Sequence, residues 1–344
     1  MFYRQQLFII RVSVNWEIIM NLEPKIDKTD RQILNELAED ARIDLKGLAK
    51  QCGLTSSAVL KRVRKLKASG IIVGTYLELK RGTLGYPQEA TIGITAETSR
   101  IDEIARKIRA IPNVMVCAKS IGRYNLFSHV FAKDLLELDR VTHSIKSING
   151  VKSTSINIHI DEPTGSGDEK ESEKRTVDSS TRKPYRVDET DLKIIYQLVD
   201  DAQMPFLKIA RKIGISPETV RQRYERMNKE GILRCRTLID GTKIGCQGTA
   251  FFLISCHQGP SSQSTADALR DMQVFIKNDK VIGGGFEIFA AAPIKDIRDL
   301  GRLTDTIERI PTVENVEVGV LMFTYYSFVP KPGFPYKCDT VELS

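Results

Sequence analysis

The 344-residue chain predicts an α+β fold of two tandem units, each a three-helix helix-turn-helix domain followed by a ferredoxin-like βαββαβ domain. Three observations predict it. The run that begins Asp27-Lys28-Thr29-Asp30 returns at Asp188-Glu189-Thr190-Asp191 and keeps one register as far as Gly70-Ile71-Ile72 and Gly231-Ile232-Leu233. Within each copy, apolar residues first recur at helical spacing and, past Leu84-Gly85 in the first, include strand-like runs. Between the copies, residues 163–186 carry almost no apolar side chains up to Tyr185. A repeat as long as a whole protein points to duplication and fusion of an ancestral protein, not to a solenoid of short modules.

The expected organisation is an extension over residues 1–22, a helix-turn-helix domain over 23–75, a ferredoxin-like domain over 76–162 and a flexible linker over 163–186. A second helix-turn-helix domain over 187–236, a second ferredoxin-like domain over 237–331 and a tail over 332–344 follow. Arg11, Asn15 and Glu17 interrupt the apolar N-terminal residues well short of a membrane span, so the extension is expected to be poorly ordered, and no function is assigned to it. The linker cannot offset its ordering entropy by burial and is expected to be mobile.

Each unit starts with an N-cap, Asp27 or Asp188, and an acid three residues on, Asp30 or Asp191. The first helix carries the stripe Ile33, Leu34 and Leu37, matched by Ile194, Ile195 and Leu198. A short second helix with Leu45, Leu48 and Ala49, or Phe206, Ile209 and Ala210, should stop at Gly53 or Gly214 in a left-handed turn. Thr55 and Ser216 cap a third helix, with Pro217 at the first helical position of the second copy. Val59, Val63 and Leu66, or Val220, Tyr224 and Met227, turn this helix toward the core. The order of helices is that of a helix-turn-helix, whose last helix fits the DNA major groove.

Strands are expected at 90–96, 114–120, 124–132 and 151–160, with helices at 101–111 and 135–148. In the second unit, strands at 249–257, 274–283, 285–292 and 313–325 and helices at 264–272 and 297–310 give the same order.

With 51 basic against 44 acidic residues, the net charge of +7 favours an anionic partner only mildly, and its distribution is more telling. The third helix of the first copy holds Lys61, Arg62, Arg64, Lys65 and Lys67 and no acid. Its counterpart sets Arg221, Arg223, Arg226 and Lys229 against Glu218, Glu225 and Glu230, a surplus of one. Thr55 is expected to cap the reading helix, Ser56, Ser57, Lys61 and Arg64 to approach base edges, and Arg62, Lys65 and Lys67 to hold phosphates. Arg221, Arg223 and Arg226 should bind more weakly. The alternative is a pair of merely solvated helix faces.

The six cysteines form no C-x-x-C pair, which suits a reducing cytoplasm. His129, His143, His159 and His257 form no metal-binding motif, so no metal site and no cofactor are expected.

The run Asp-x-x-Asp-x-x-Ile-Leu at Asp27, the segment Gly53-Leu54-Thr55-Ser56-Ser57, the Leu84-Gly85 that follows and the glycine hairpins at Gly122 and Gly284 resemble the Lrp/AsnC family of transcriptional regulators, as two complete units from Asp27 to Tyr325. The resemblance implies a sequence-specific DNA-binding regulator, not an enzyme and without catalytic residues. Its βαββαβ domains would dimerise and take an amino acid or other small effector at the turn between the second and third strands. Carried over, the effector residues are Gly122, Tyr124 and Asn125, with Gly284, Phe286 and Glu287 in the second unit; Asn125 and Glu287 stand where the family often has Asp. The implied partners are double-stranded DNA and an intramolecular pseudo-dimer or homo-oligomer, with no membrane. The same glycines also suit plain hairpin turns. A rival of another class is a tetrapyrrole (sirohaem-type) decarboxylase on the same scaffold, which calls for a histidine and an arginine at the hairpin. Cys117-Ala118-Lys119-Ser120 lies where that histidine is sought, and Arg123 and His129 read as isolated. A third reading is a ligand sensor that acts as co-regulator without strong DNA binding.

Overall fold

A computed structural model describes residues 26–80, 82–160, 185–257, 261–272 and 274–321. The expected extension, nearly all of the linker, the tail and the end of the last strand at Tyr325 lie outside the described residues.

The helix-turn-helix domains form as their caps dictate. Helix α1 (Lys28–Glu39) starts where the Asp30 N–H donates to Asp27 Oδ1 at 2.7 Å. Helices α2 (Leu45–Gln51) and α3 (Ser56–Ala68) flank Gly53, whose φ is 64°. The Thr55 hydroxyl accepts from the Ala58 N–H at 3.3 Å. Ile33, Leu34, Leu48, Val59 and Leu66 close the core between them.

Seven α-helices and ten strands follow in the remaining described residues, beginning with strand β1 (Ile72–Leu79). The first ferredoxin-like domain is β2 (Gln88–Ala96), α4 (Ile101–Arg109), β3 (Val114–Ile121), β4 (Leu126–Ala132), α5 (Leu135–Lys146) and β5 (Val151–His159). The second helix-turn-helix is α6 (Glu189–Asp200), α7 (Phe206–Ile213) and α8 (Pro217–Lys229). Asp188 and Asp191 there form a reciprocal capping box, and Gly214 has φ 75°. Strand β6 (Leu233–Ile239) leads to β7 (Gly248–Cys256), α9 (Ser261–Asp271), β8 (Lys277–Ile282), β9 (Ile288–Ile294), α10 (Ile297–Glu308) and β10 (Val313–Leu321).

Strands β1 and β6 are absent from the sequence reading, which set domain boundaries at residues 75 and 236, within both. They pair antiparallel with each other, Tyr76 opposite Arg236 and Leu79 opposite Leu233. Among the described residues, each strand therefore finds its only ladder partner in the other unit. A motif search inside one unit has no turn or hairpin signal with which to find such a pair.

Each ferredoxin-like sheet is antiparallel, in the orders β3-β4-β2-β5 and β8-β9-β7-β10. One face of the first carries Ala90, Ile92 and Ile94 against Ile104, Ile108, Leu138, Val141 and Ile145 of its helices. The opposite faces of the two sheets meet, and their edges join into a closed barrel. One seam pairs β5 with β8 (Ile158 with Ile282, His159 with Val281), and the other pairs β10 with β3 (Val320 with Ile121, Leu321 with Ser120). Phe127, Phe251 and Phe289 stack inside, with centroids 5.0 and 5.5 Å from Phe127. The two sheets of the one chain pair with each other. Strands β4 and β9 start at Leu126 and Ile288, later than the expected 124 and 285, because Tyr124-Asn125 and Phe286-Glu287 belong to the turns.

Candidate nucleic-acid interface and hairpin turns

Helix α3 buries Val59 and Leu66 and leaves Lys61, Arg64, Lys65 and Lys67 exposed along its outer side. None of these four cations has an ion-pair partner among the described residues. Thr55 and Ser57 sit exposed at the N-terminus of α3, their hydroxyls 3.1 Å apart, with Ser56 half-buried beside them. A helix N-terminus with exposed hydroxyls followed by unpaired cations is an arrangement that can receive phosphate oxygens and base edges.

Arg62 is the exception among the expected contacts. Its Nη1 lies 2.6 Å from Asp27 Oδ2 and 2.7 Å from Asp30 Oδ1. The two carboxylates raise its pKa further, so the guanidinium is a fixed charge that ties α3 to the N-terminus of α1. The same clamp recurs in the second unit, where Arg223 Nη1 is 2.7 Å from Asp188 Oδ2 and 2.8 Å from the fully buried Asp191 Oδ1. Arg62 and Arg223, read from sequence as DNA contacts, are placed as internal braces. The capping acids, legible in the sequence, are what draw them in.

On α8 the remaining expected bases are also engaged. Arg221 pairs with Glu218 at 2.7 Å and Glu225 at 3.2 Å, and both glutamates raise its pKa. The Arg226 guanidinium lies 4.6 Å from the centre of the Tyr185 ring. On the outer face of α8, Arg221 is thus paired with acids and Arg226 is stacked on a ring, while the cations of α3 are not engaged in this way.

The hairpin turns meet the opposite unit. Gly122 has φ 127°, and a Cβ there would come within 2.8 Å of the Val318 carbonyl oxygen on β10. A Cβ at Gly284 would collide with the Asn157 amide on β5. Both glycines are required by the close approach of one unit's turn to the other unit's last strand. The Asn125 amide brackets Ala96, donating to its carbonyl at 2.7 Å and accepting from its N–H at 2.9 Å. Glu287 does the equivalent for Cys256, accepting from its N–H at 2.9 Å. Tyr124 and Phe286 are buried, and the Arg123 guanidinium lies over both rings, at 5.9 and 5.4 Å, while it pairs with Glu317. The structure therefore brings the six expected effector residues to the boundary between units, with the side chains of Asn125 and Glu287 committed to backbone. Beside Gly284, the fully buried Asn157 has neither amide atom hydrogen-bonded within the described residues.

The barrel also holds a polar cluster that the sequence reading missed, and His129 is not isolated. Its Nε2 lies 2.6 Å from Glu89 Oε1. Lys277 Nζ, from the other unit, is 2.5 Å from the same oxygen and 2.7 Å from Asp279 Oδ2. His159 Nδ1 lies 2.8 Å from Asp279 Oδ2, and its Nε2 lies 3.3 Å from the Thr91 hydroxyl. Burial, aided by Lys277 and opposed by Asp279, pushes the His159 pKa down to about 4. Burial alone would raise the Glu89 pKa, but Lys277 and His129 overrule it and hold the carboxyl well below its ordinary value. Glu89, His129 and His159 offer ligand atoms within 4.8 Å of one another, the spacing of a metal site. The Lys277 ammonium already supplies a cation to that carboxylate, so the group is satisfied as an ionic network. Residues so scattered along the chain leave no motif. The one sequence signal is a run of polar residues at alternate positions of otherwise apolar strands.

Comparison with known proteins matches three parts of the chain to family models: winged helix-turn-helix DNA-binding over residues 26–73, the Lrp/AsnC ligand binding domain over 89–167 and the AsnC-type helix-turn-helix domain over 187–228. The HTH-type transcriptional regulator LrpA of Pyrococcus horikoshii is 32% identical over 127 residues, 37% of this chain and 90% of its own length. The regulatory protein AsnC of Haemophilus influenzae is 30% identical over 140 residues, 40% of this chain and 93% of its own. Among solved structures, the siroheme decarboxylase NirDL aligns with a TM-score of 0.60 over 88% of this chain and 96% of its own, at 16% identity, a likeness of fold.

Proposed function

Since the chain belongs to the Lrp/AsnC family, we propose that it is a sequence-specific DNA-binding transcriptional regulator and not an enzyme. One chain supplies both helix-turn-helix domains that a dimer of single units would bring. The observation that carries this reading is the row of exposed, unpaired cations Lys61, Arg64, Lys65 and Lys67 on α3, whose only expected neighbour with a partner is Arg62. Thr55 caps the reading helix, Ser56, Ser57, Lys61 and Arg64 approach base edges, and Lys65 and Lys67 hold phosphates. Helix α8 assists with less charge. A small polar effector is sensed at the Gly284 turn, where Asn157 has amide capacity unspent.

A fluorescence-anisotropy titration of the full chain with genomic fragments at two salt concentrations tests the reading. A preferred fragment, with affinity falling steeply as salt rises, is the expected result. The second reading, a tetrapyrrole decarboxylase, is favoured by the gathering of His129, His159 and Lys277 in one cluster. Against it stand the Arg123–Glu317 pair and the Phe127, Phe251 and Phe289 stack, which occupy the hairpin and the barrel interior. No fragment preferred over random DNA, together with absorbance changes on adding an iron tetrapyrrole, would overturn the regulator reading in favour of that alternative.

A further inference from the structure

We propose that the two units carry a charge code that makes each pair with the other and not with a second copy of itself. The strand registers identify equivalent positions in the two sheets. Val116 and Lys277 both stand next to the β4 or β9 position held by His129 or Ala291. In the same way Ala118 corresponds to Asp279, Glu89 to Thr249, His159 to Leu321 and Ser155 to Glu317.

The ionic contacts across the boundary are therefore one-sided. Glu89 and His159 of the first unit meet Lys277 and Asp279 of the second, while the equivalent place on the opposite side of the barrel presents Thr249 and Leu321 to Val116 and Ala118. Arg123 meets Glu317 at one seam; the other seam has Gly284 and Ser155 at those positions. On the β1–β6 ribbon, the buried Arg236 of the second unit pairs with Glu39 at 2.7 Å and Glu78 at 2.8 Å of the first.

A pairing of two first units would lose all of these partners at once. Glu89 would face Val116 and Ala118, Arg123 would face Ser155, and Glu39 and Glu78 would have no Arg236, each mismatch occurring twice by symmetry. Two second units would turn Lys277 from Glu89 to Thr249 and Asp279 from His159 to Leu321, although Lys277 and Asp279 keep each other within the unit, as Glu89 keeps His129 in the first. A buried charge that loses its partner is far more costly than the pair is favourable, so the code acts chiefly by penalising the wrong assembly.

The test uses the full chain with a protease site introduced between residues 161 and 184 and cut after folding. The cut protein is unfolded, refolded and weighed by native mass spectrometry. Complexes of one first unit with one second unit are expected in more than about tenfold excess over both homotypic pairs together. Homotypic pairs at or near their statistical share, half of all complexes, overturn the proposal. If the cut halves do not refold, the uncut chain decides. Arg123→Glu and Glu317→Arg should each lower Tm, and the double variant should regain most of the loss. Losses that simply add overturn it.

Discussion

Helices α3 and α8 occupy the same place in two domains built on one plan, yet they face solvent with different electrostatics. Their inner sides are equivalent: Val59 and Leu66 match Val220 and Met227, all buried, and Arg62 matches Arg223 in the same clamp to two capping aspartates. Their outer sides have parted, four unpaired cations on α3 against the Arg221–Glu218–Glu225 and Arg226–Tyr185 contacts on α8. Packing constrains the first set, because a change of one methylene in a close-packed core is felt throughout it. Nothing within the fold constrains the second set, so its divergence points to a difference in what the two helices meet outside the chain.

The largest effect expected from breaking this contrast is on DNA binding. Replacing Lys61 and Arg64 together by Ala should weaken binding to a preferred fragment by at least about thirtyfold, from about 1–3 kcal/mol per lost contact. Arg221→Ala with Arg226→Ala should change it less than about threefold, and a comparable loss from both pairs, read by anisotropy, would abolish the contrast.

Next in size is the clamp, where the two copies should behave alike. Asp30→Ala or Asp191→Ala leaves an arginine without its buried partner and should cost about 2 kcal/mol, after discounting for the part-exposed guanidinium. Thermal unfolding checks this, and the salt dependence of DNA binding should stay the same. A fall of about one unit in the logarithmic salt slope for Arg62→Ala would return that residue to the phosphate contacts.

The third experiment makes the second helix resemble the first. Glu218→Gln, Glu225→Gln and Glu230→Gln release Arg221 and should steepen the salt slope by about one phosphate contact. An unchanged slope would mean that α8 does not reach DNA.

A last test concerns the barrel. His159 is neutral when folded, with a pKa of about 4 against the ordinary 6.5, so the unfolded chain takes up its proton first as pH falls. Stability is fully present above 6.5 and declines between 6.5 and 4. Glu89 and Asp279, both held below their ordinary 4.5 and 3.8, add a further loss beneath those values. His159→Leu, which copies Leu321 at the equivalent position, should remove the decline between pH 6.5 and 4 in urea melts, and an unaltered profile would assign it to other groups.

Much of the fold was readable because its signals are local. Caps at Asp27, Asp188, Thr55 and Ser216, the left-handed turns at Gly53 and Gly214, and the buried stripes all rest on contacts within a few residues of sequence. Strands β1 and β6 were not readable, since each is completed by a strand in the other unit. The candidate site divides likewise. Lys61, Arg64, Lys65 and Lys67 stand where the helical pattern put them, whereas Arg62 and Arg223 were claimed by acids 32 and 35 residues away.

By itself the sequence determined the duplication, the helix-turn-helix and βαββαβ order of each unit, and the unequal charge of the two third helices. Periodicity, capping and composition act over short stretches, and each copy repeats them. Only the tertiary structure decided which sheet faces which, that the hairpin glycines serve the seams, and that Glu89, His129, His159, Lys277 and Asp279 form one network. Those outcomes depend on satisfying buried charges and strand edges between segments far apart in the chain, and no local pattern records that requirement.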